Sequence, residues 1–170
     1  MQIFQTHLDS PLGPLFIYSN ENNVIHLAWS EDSNSTFIQK YQEQEIEFHF
    51  KRENDVLKQA RIQLDEYFRK ERTRFELPLM PQGTPFQISV WEKLQEIPYG
   101  STWSYEKLAR SIGKERAVRA VGNANGKNPI PIIIPCHRVI EKNGNLGGYS
   151  GGLHIKDWLL SHEGYLLGTH

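Results

Sequence analysis

The chain has 170 residues, of which 38% are hydrophobic and 23% charged, with a formal net charge of −1. This composition is ordinary for a globular protein with one or two cores. The single cysteine excludes an internal disulfide and any zinc site built from several cysteines. Neither a membrane span nor a signal peptide is predicted, and a free thiol suits a reducing compartment. We therefore expect a cytoplasmic protein, or a nuclear one in a eukaryote.

The first part of the chain predicts a small antiparallel sheet. Residues 3–8, 15–18 and 24–29 are rich in β-branched and aromatic side chains, which favours strands. Turn-forming residues at 10–13 and 20–23 separate these segments. The short spacing indicates a meander in which sequential strands pair.

The next part of the chain predicts a short helix over 33–43 and another strand over 46–50. Asp55 is the predicted N-cap of an amphipathic helix. The apolar side chains of this helix recur at helical spacing: Leu57, Ala60, Leu64, Tyr67 and Phe68. Residues 77–83 contain two prolines and a glycine, and this composition predicts a linker.

After the linker the sequence predicts three helices. Thr84, Pro85 and Gln87 have the pattern of a capping box with proline at the first helical position. Ser104 is the predicted N-cap of a second helix over 105–111. A third helix is predicted over 114–124. Two short helices joined by a glycine-containing turn are typical of a helix-turn-helix motif.

The third helix has two different faces. Its predicted packing stripe consists of small apolar residues: Ala117, Ala120, Val121 and Ala124. Arg116, Arg119 and Asn123 share the opposite side. Basic residues also outnumber acidic ones between 101 and 128, six to two. The pattern fits nucleic-acid binding and a solvated basic face about equally well.

The lone cysteine, Cys136, lies in the segment 128–139, at the end of an apolar run that contains three prolines and no ionisable residue before it. Proline fixes its own φ and disfavours a helical backbone at the preceding residue, which predicts an extended segment. A buried thiol has a raised pKa, and most lone cysteines are simply small buried hydrophobes. Neighbours on a strand point to opposite faces. His137 could therefore assist Cys136 only through a kink or a bridging water.

The last part of the chain combines a glycine-rich loop, 144–152, with a terminal helix. Glycine permits close approach of the backbone to a ligand. The helix presents Ile155, Trp158, Leu159 and His162 on one face. Glu163 follows at the end of the helix, where the macrodipole disfavours a negative charge. A buried partner would explain this placement.

The segment Pro135-Cys136-His137-Arg138-Val139 resembles the active-site signature of methylated-DNA–protein-cysteine methyltransferases, the O6-alkylguanine-DNA alkyltransferases. Other segments resemble motifs of this family in the same order: 104–105, 119–122, 128–129, 148–152 and 158–164. Residues 8–13 also resemble the start of the family's variable N-terminal domain. The resemblance runs continuously from about residue 84 to residue 168.

The resemblance implies an α+β protein with a ribonuclease-H-like N-terminal domain, 1–80, and a winged helix-turn-helix domain, 81–170. It implies DNA repair by a single transfer of an alkyl group from guanine O6, and less efficiently thymine O4, to Cys136. In this family Glu163 would orient His137, and His137 would reach the thiol through water. Tyr105 would supply a proton to the base, and Asn128 would fix the turn beside the thiol.

The resemblance also implies how the chain would bind double-stranded DNA bearing O6-alkylguanine. The second helix of the motif would enter the minor groove, and Arg119 would replace the flipped nucleotide in the stack. Further residues are assigned to this interface: Ala117, Ala120, Arg116 and Asn123. The base pocket would be formed by Val139, Tyr149, Ser150 and Gly151. No cofactor and no metal are expected, and the zinc site of mammalian relatives lacks its cysteines here.

The expected protein is a stand-alone monomer that does not bind membranes, and the sequence does not decide whether it assembles cooperatively on DNA. Two other interpretations compete with alkyl transfer. Non-catalytic alkyltransferase-like proteins bind the same lesions but replace the cysteine, which is present here. A Cys-His hydrolase would turn over and would leave the basic helix unexplained.

Overall fold

The computed structural model describes residues 1–29, 37–39, 41, 44 and 46–165. The chain divides into two compact units, Met1–Pro81 and Gln82–His170. No helix in the described ranges combines the length and the apolar character that crossing a bilayer requires.

The first unit contains a four-stranded mixed sheet. Strands β1 (Gln2–Ser10), β2 (Gly13–Ser19) and β3 (Val24–Ala28) pair antiparallel in sequence order, which confirms the predicted meander. Strand β4 (Glu47–His49) pairs parallel to β1, so the sheet order is β3-β2-β1-β4. Of the helix predicted over 33–43, only four positions belong to the described residues.

Helix α1 (Asp55–Phe68) contacts β1 and β2 with its apolar face. The predicted stripe is buried at Leu57, Ala60, Leu64 and Tyr67, while Phe68 is half-buried. The prediction that Asp55 is the N-cap is wrong. Asn54 has the extended backbone of a cap, and its side-chain oxygen accepts a hydrogen bond from Leu57 N at 3.0 Å. Asp55 lies in the first turn, where the helix dipole favours a carboxylate.

Within its described residues, 82–165, the second unit contains four α-helices and a small parallel strand pair. The helices are α2 (Pro85–Leu94), α3 (Tyr105–Ser111), α4 (Val118–Gly126) and α5 (Leu153–His162). Strands β5 (Trp103–Ser104) and β6 (Val139–Ile140) form the pair. The capping box of Thr84 and Gln87 and the cap by Ser104 are both confirmed.

Helix α4 begins later than predicted. Residues 114–117 form a turn closed by a 2.8 Å hydrogen bond from Ala117 N to Lys114 O, and the helix starts at Val118. Arg116 therefore precedes the helix instead of sharing its face. The predicted packing stripe is also only partly right, because Val121 and Ala124 are buried but Ala120 is exposed.

The proline-containing segment 128–139 is not extended, contrary to the prediction. It folds into consecutive turns and then a short 3₁₀ helix, Cys136–Arg138, and every residue from Ile130 to Ile140 is buried. Ile132 has φ +71°, which is unusual for a β-branched residue. Proline restricts φ without fixing the direction of the chain, and here tight turns keep the isoleucines in the core.

Candidate active site

Cys136 lies in the 3₁₀ turn and is 2% exposed. Burial raises the pKa of its thiol to about 11, although Asn128, Lys156 and Tyr149 each act to lower this pKa. A thiol with this pKa is almost entirely protonated at neutral pH. Cys136 therefore needs a route for its proton before it can act as a nucleophile.

The backbone around the cysteine is fixed by two asparagines. The amide of Asn128 accepts a hydrogen bond from Ile130 N at 3.0 Å and donates one to Ile134 O at 2.7 Å. Asn125, at the buried side of α4, donates to the main-chain oxygen of Cys136 at 3.3 Å. Both carbonyls also accept a backbone hydrogen bond, Ile134 O from Cys136 N and Cys136 O from Val139 N, so the asparagines reinforce the turns. Asn125 also connects the second helix of the helix-turn-helix to the cysteine.

Glu163 is the centre of a buried network of hydrogen bonds. Its carboxylate accepts from His137 Nε2 at 2.8 Å, from Arg138 Nε at 2.9 Å and from Arg138 Nη2 at 2.9 Å. Gly100 N donates to Glu163 Oε2 at 3.4 Å, and Arg138 Nη1 donates to Ile97 O at 2.8 Å. The expectation that Glu163 has a buried partner is confirmed. These partners outweigh the unfavourable position of the carboxylate at the end of α5.

The network sets the charge of each member. Burial alone would raise the pKa of Glu163, but hydrogen bonds from His137 and Arg138 hold this pKa well below its usual range. Burial lowers the pKa of His137, and Glu163 offsets this effect only in part. The imidazole is therefore neutral and donates Nε2–H to a carboxylate. Its Nδ1 atom is buried and has no hydrogen-bond partner among the described residues.

Tyr105, the first residue of α3, packs against the glycine-rich loop. A Cβ on Gly147, where φ is +72°, would lie 2.7 Å from the Tyr105 hydroxyl. Burial, Cys136 and Glu141 raise the pKa of Tyr105, while the backbone N–H of Gly148 lowers it. Tyr105 is therefore a neutral phenol that keeps its proton at physiological pH. Glycine at position 147 is what allows the loop to approach it.

An open cleft of about 820 Å³ lies between α3, α4 and the loop 141–150. Tyr105, Arg119, Asn123, Tyr149 and Ser150 are among its lining residues. The other two residues predicted for the base pocket do not line this cleft: Val139 and Gly151. Val139 is fully buried in β6, and its main-chain oxygen binds Lys156.

The residues predicted for DNA binding occupy the start and the exposed side of α4. Arg119, Ala120 and Asn123 are exposed on the helix, and Arg116 is exposed in the preceding turn. Ala117 is half-buried at the N-cap position, without a side-chain cap. Of these residues, Arg119 and Asn123 line the cleft, whereas Arg116, Ala117 and Ala120 do not.

Two buried cations were missed by the sequence reasoning. Arg138 is 6% exposed and Lys156 is 0% exposed. A signal for Lys156 was available, because it lies on α5 between Ile155 and Leu159 on the buried face. Arg138 was a possible partner for Glu163, whose position already indicated one. No cluster of three or more His, Cys, Asp or Glu side chains suited to a metal occurs within the part of the chain that the structure describes.

Two family models match the chain and together cover most of it. Residues 3–81 match the ribonuclease-like domain of 6-O-methylguanine DNA methyltransferase, and residues 85–165 match the DNA binding domain of the same family. The fold is therefore a two-domain α+β structure of this kind.

Similar proteins and structures carry corresponding names. The methylated-DNA–protein-cysteine methyltransferase of Methanosarcina barkeri is 46% identical, over 92% of this chain and 94% of its own length. The constitutive enzyme of that name from Bacillus subtilis is 43% identical, over 94% of both chains. The crystal structure of Mycobacterium tuberculosis OGT in complex with DNA is 39% identical, with a TM-score of 0.80 over 96% of this chain and 92% of that chain.

Proposed function

Because the chain belongs to the 6-O-methylguanine DNA methyltransferase family, we propose that it repairs DNA by moving an alkyl group from guanine O6 to Cys136. It is an enzyme of the methylated-DNA–protein-cysteine methyltransferase type, and its partner is DNA. The observation that supports this proposal best is the buried network next to the single thiol, from His137 to Glu163 and Arg138. A merely structural cysteine would have no need of a neutral imidazole beside it.

The reaction is a single displacement at the alkyl carbon. The Cys136 thiolate forms a bond from sulfur to this carbon, the bond from carbon to guanine O6 breaks, and the electron pair stays on the base. Tyr105 protonates the departing base, because a guanine anion is a poor leaving group. The product is a thioether without an ester or acyl bond, so water does not regenerate the thiol. Each molecule therefore acts once and needs no cofactor.

His137 and Glu163 form the route for the thiol proton. Glu163 accepts Nε2–H of His137, which leaves the buried Nδ1 atom as a hydrogen-bond acceptor. Cys136 and His137 are consecutive residues of a 3₁₀ turn with about three residues per turn, so their side chains diverge. A water molecule between the sulfur and Nδ1 is the connection that we propose. Asn128 keeps the turn in place during the transfer.

Recognition of the damaged base depends on the exposed side of α4 and on the cleft. Arg119 occupies the gap that the flipped nucleotide leaves in the duplex. Arg119 and Asn123 both line the cleft of the protein. The exposed residues Arg116 and Ala120, together with Ala117, contact the backbone and walls of the minor groove. Tyr149 and Ser150 bind the extruded base. We expect one monomer to act on each lesion.

Intact-mass spectrometry tests the proposal. After incubation with a duplex oligonucleotide that contains O6-methylguanine, the protein should gain one methyl group, and peptide mapping should locate it on Cys136. The matched control is Cys136→Ser, which should bind the duplex but gain no mass. A protein that gains no methyl group would be a lesion-binding relative without transfer. Several turnovers per molecule, or a label on another residue, would contradict the single displacement.

A further inference from the structure

Lys156 is fully buried, whereas every other lysine of the second unit is at least partly exposed. Its ammonium donates to Val139 O at 2.6 Å and to Gly148 O at 3.1 Å. It also lies 5.8 Å from the centre of the Tyr105 ring. Burial of a charged lysine is energetically costly unless an opposite charge and hydrogen bonds compensate for its lost hydration. Neutral carbonyls satisfy its hydrogen bonds but do not balance its charge.

The charges of the buried site balance without Lys156. Arg138 and Glu163 form an ion pair in which the side chains are 8% and 0% exposed. His137 is neutral because burial lowers its pKa. Among the described residues, Lys156 forms no salt bridge with a carboxylate. The site therefore contains one positive charge more than negative charges, as long as Cys136 is a thiol.

We propose that Lys156 is a positioning residue whose ammonium balances the charge of the Cys136 thiolate and holds Gly148, beside Tyr149, in the pocket wall. This role rests on the proposed function, because only a nucleophilic Cys136 needs a balancing charge. The contact with Val139 O links the ammonium to the chain that follows the cysteine, and the contact with Gly148 O links it to the loop. Loss of the thiol proton makes the site neutral.

The groups around both partners agree with this assignment. Burial lowers the pKa of Lys156 to about 8, while Cys136 and Glu141 raise it. Burial raises the pKa of Cys136, while Asn128, Lys156 and Tyr149 lower it. Burial and the nearby Cys136 raise the pKa values of Tyr105 and Tyr149, so both phenols remain neutral. Lys156 is thus the group near the sulfur that can supply a full positive charge.

Two substitutions separate the charge of Lys156 from its hydrogen bonds. Lys156→Met removes both, whereas Lys156→Gln removes the charge and keeps an N–H donor for the carbonyls. The measurement is the rate at which iodoacetamide alkylates the protein, as a function of pH and without DNA. Because the chain has one cysteine, this rate reports on Cys136 alone. We expect both variants to react about tenfold more slowly at pH 7.5, where Lys156 is still charged in the unmodified protein, and this factor corresponds to one pKa unit.

The matched control is Lys114→Met, which removes the same charge from an exposed position in the turn before α4. Its alkylation profile should coincide with that of the unmodified sequence. A wild-type profile in both folded Lys156 variants would overturn the proposal. If only Lys156→Gln had the wild-type alkylation profile, Lys156 would act through its hydrogen bonds and not through its charge. This result would also overturn the proposal.

A second measurement needs no Lys156 variant and so does not depend on whether the variants fold. In the unmodified protein, Lys156 loses its charge near pH 8, where Cys136 is still mostly protonated. The logarithm of the alkylation rate should therefore rise by less than one unit per pH unit around the NMR titration midpoint of Lys156, because the loss of the ammonium charge makes the thiol harder to ionise. A rate that rises with unit slope through this midpoint would overturn the proposal.

These measurements use neither damaged DNA nor alkyl transfer. A failure of the proposed function would appear as a missing methyl group on Cys136 in the mass spectrum. A failure of the Lys156 assignment would appear as thiol reactivity that does not respond to the charge of Lys156. The two failures are therefore distinguishable.

Discussion

Each unit of the molecule contains an arginine that binds a glutamate through Nε and a terminal nitrogen. In the first unit, Arg61 contacts Glu53 at 2.7 and 3.2 Å, and the side chains are 38% and 27% exposed. In the second unit, Arg138 contacts Glu163 at 2.9 and 2.9 Å, and the side chains are 8% and 0% exposed. The two pairs have nearly the same geometry and differ in their contact with water.

This difference separates a surface ion pair from a functional one. Water screens the pair of Glu53 and Arg61, and exposed pairs contribute about 0–1 kcal/mol to stability. The pair of Glu163 and Arg138 has lost its hydration, so it is costly to form and more costly to break. Only the buried carboxylate also binds a histidine beside the thiol. The second unit thus retains charges in its interior where the proposed chemistry uses them.

The largest effect is expected from Glu163→Gln, which leaves Arg138 buried without its counter-charge. Removing one partner of a buried pair costs about 3–5 kcal/mol. Urea unfolding followed by the reaction of Cys136 with Ellman's reagent measures this loss in the second unit, because the only thiol lies there. Alkyl transfer should also slow. A loss below about 1 kcal/mol would mean that burial does not distinguish the two pairs.

The same variant should change how stability depends on acid. The pKa of Glu163 is held well below its usual range, so the unfolded chain binds a proton there more readily than the folded chain. The stabilisation is complete above the unfolded pKa of about 4.3 and is lost as the pH falls toward the folded value. The free energy of unfolding should therefore fall less steeply below pH 4.5 in Glu163→Gln. Parallel curves would contradict the depressed pKa.

Arg119→Ala tests whether an exposed charge can matter without stabilising the fold. Arg119 is exposed and forms no ion pair with a described residue, so its removal should leave stability unchanged. If Arg119 fills the gap left by a flipped nucleotide, transfer from duplex DNA should slow at least about tenfold, because unstacking costs a few kcal/mol. Transfer from the free modified base, which needs no flipping, should hardly change. The measured quantity is the ratio of these two rates.

Arg116→Ala is the matched control for Arg119→Ala, since both residues are exposed arginines near the start of α4. A residue that only contacts phosphate should weaken binding on all sequences and reduce the salt slope by about one. The ratio of duplex rate to free-base rate should then stay constant. If this ratio is equal in both variants and the wild type, Arg119 does not fill the gap left by a flipped nucleotide and contributes only a basic charge.

The smallest effect is expected from Glu53→Gln, the exposed counterpart of Glu163→Gln. Arg61 should return to water, and the free energy of unfolding should fall by less than about 1 kcal/mol. Thermal unfolding at low and high salt measures this loss, which should shrink as salt screens the pair. The alkyl-transfer rate should stay at its wild-type value. A loss similar to that of Glu163→Gln would remove the contrast between the two units.

Local features of the fold could be predicted from the sequence. The alternation and turn residues of the first 29 positions gave the meander, and Thr84 with Gln87 gave the start of α2. These signals are local because each residue acts on neighbours within three or four positions. Cys136, His137 and Glu163 were also identified as site residues from the sequence. In the structure, His137 Nε2 lies 2.8 Å from Glu163 Oε1.

The interior of the site could not be predicted in the same way. The turns of 128–139 depend on the two hydrogen bonds of the Asn128 side chain, which the proline pattern does not reveal. Arg138 and Lys156 are long charged residues that ordinarily remain in water. Their burial depends on partners 25 and 17 positions away in the chain, Glu163 and Val139. Such contacts exist only once the whole unit has folded.

The backbone of Ile132 has a consequence for which substitutions the chain can accept. This residue has φ +71° and is 0% exposed, so a β-branched side chain fills the core from a left-handed backbone. Glycine would relieve a strain of about 1–2 kcal/mol. Removing most of a buried isoleucine side chain costs about 2–5 kcal/mol, as Ile→Ala changes show. In evolutionary terms, selection should therefore retain isoleucine at position 132, because a change to glycine would relax the backbone but open a larger defect in the core.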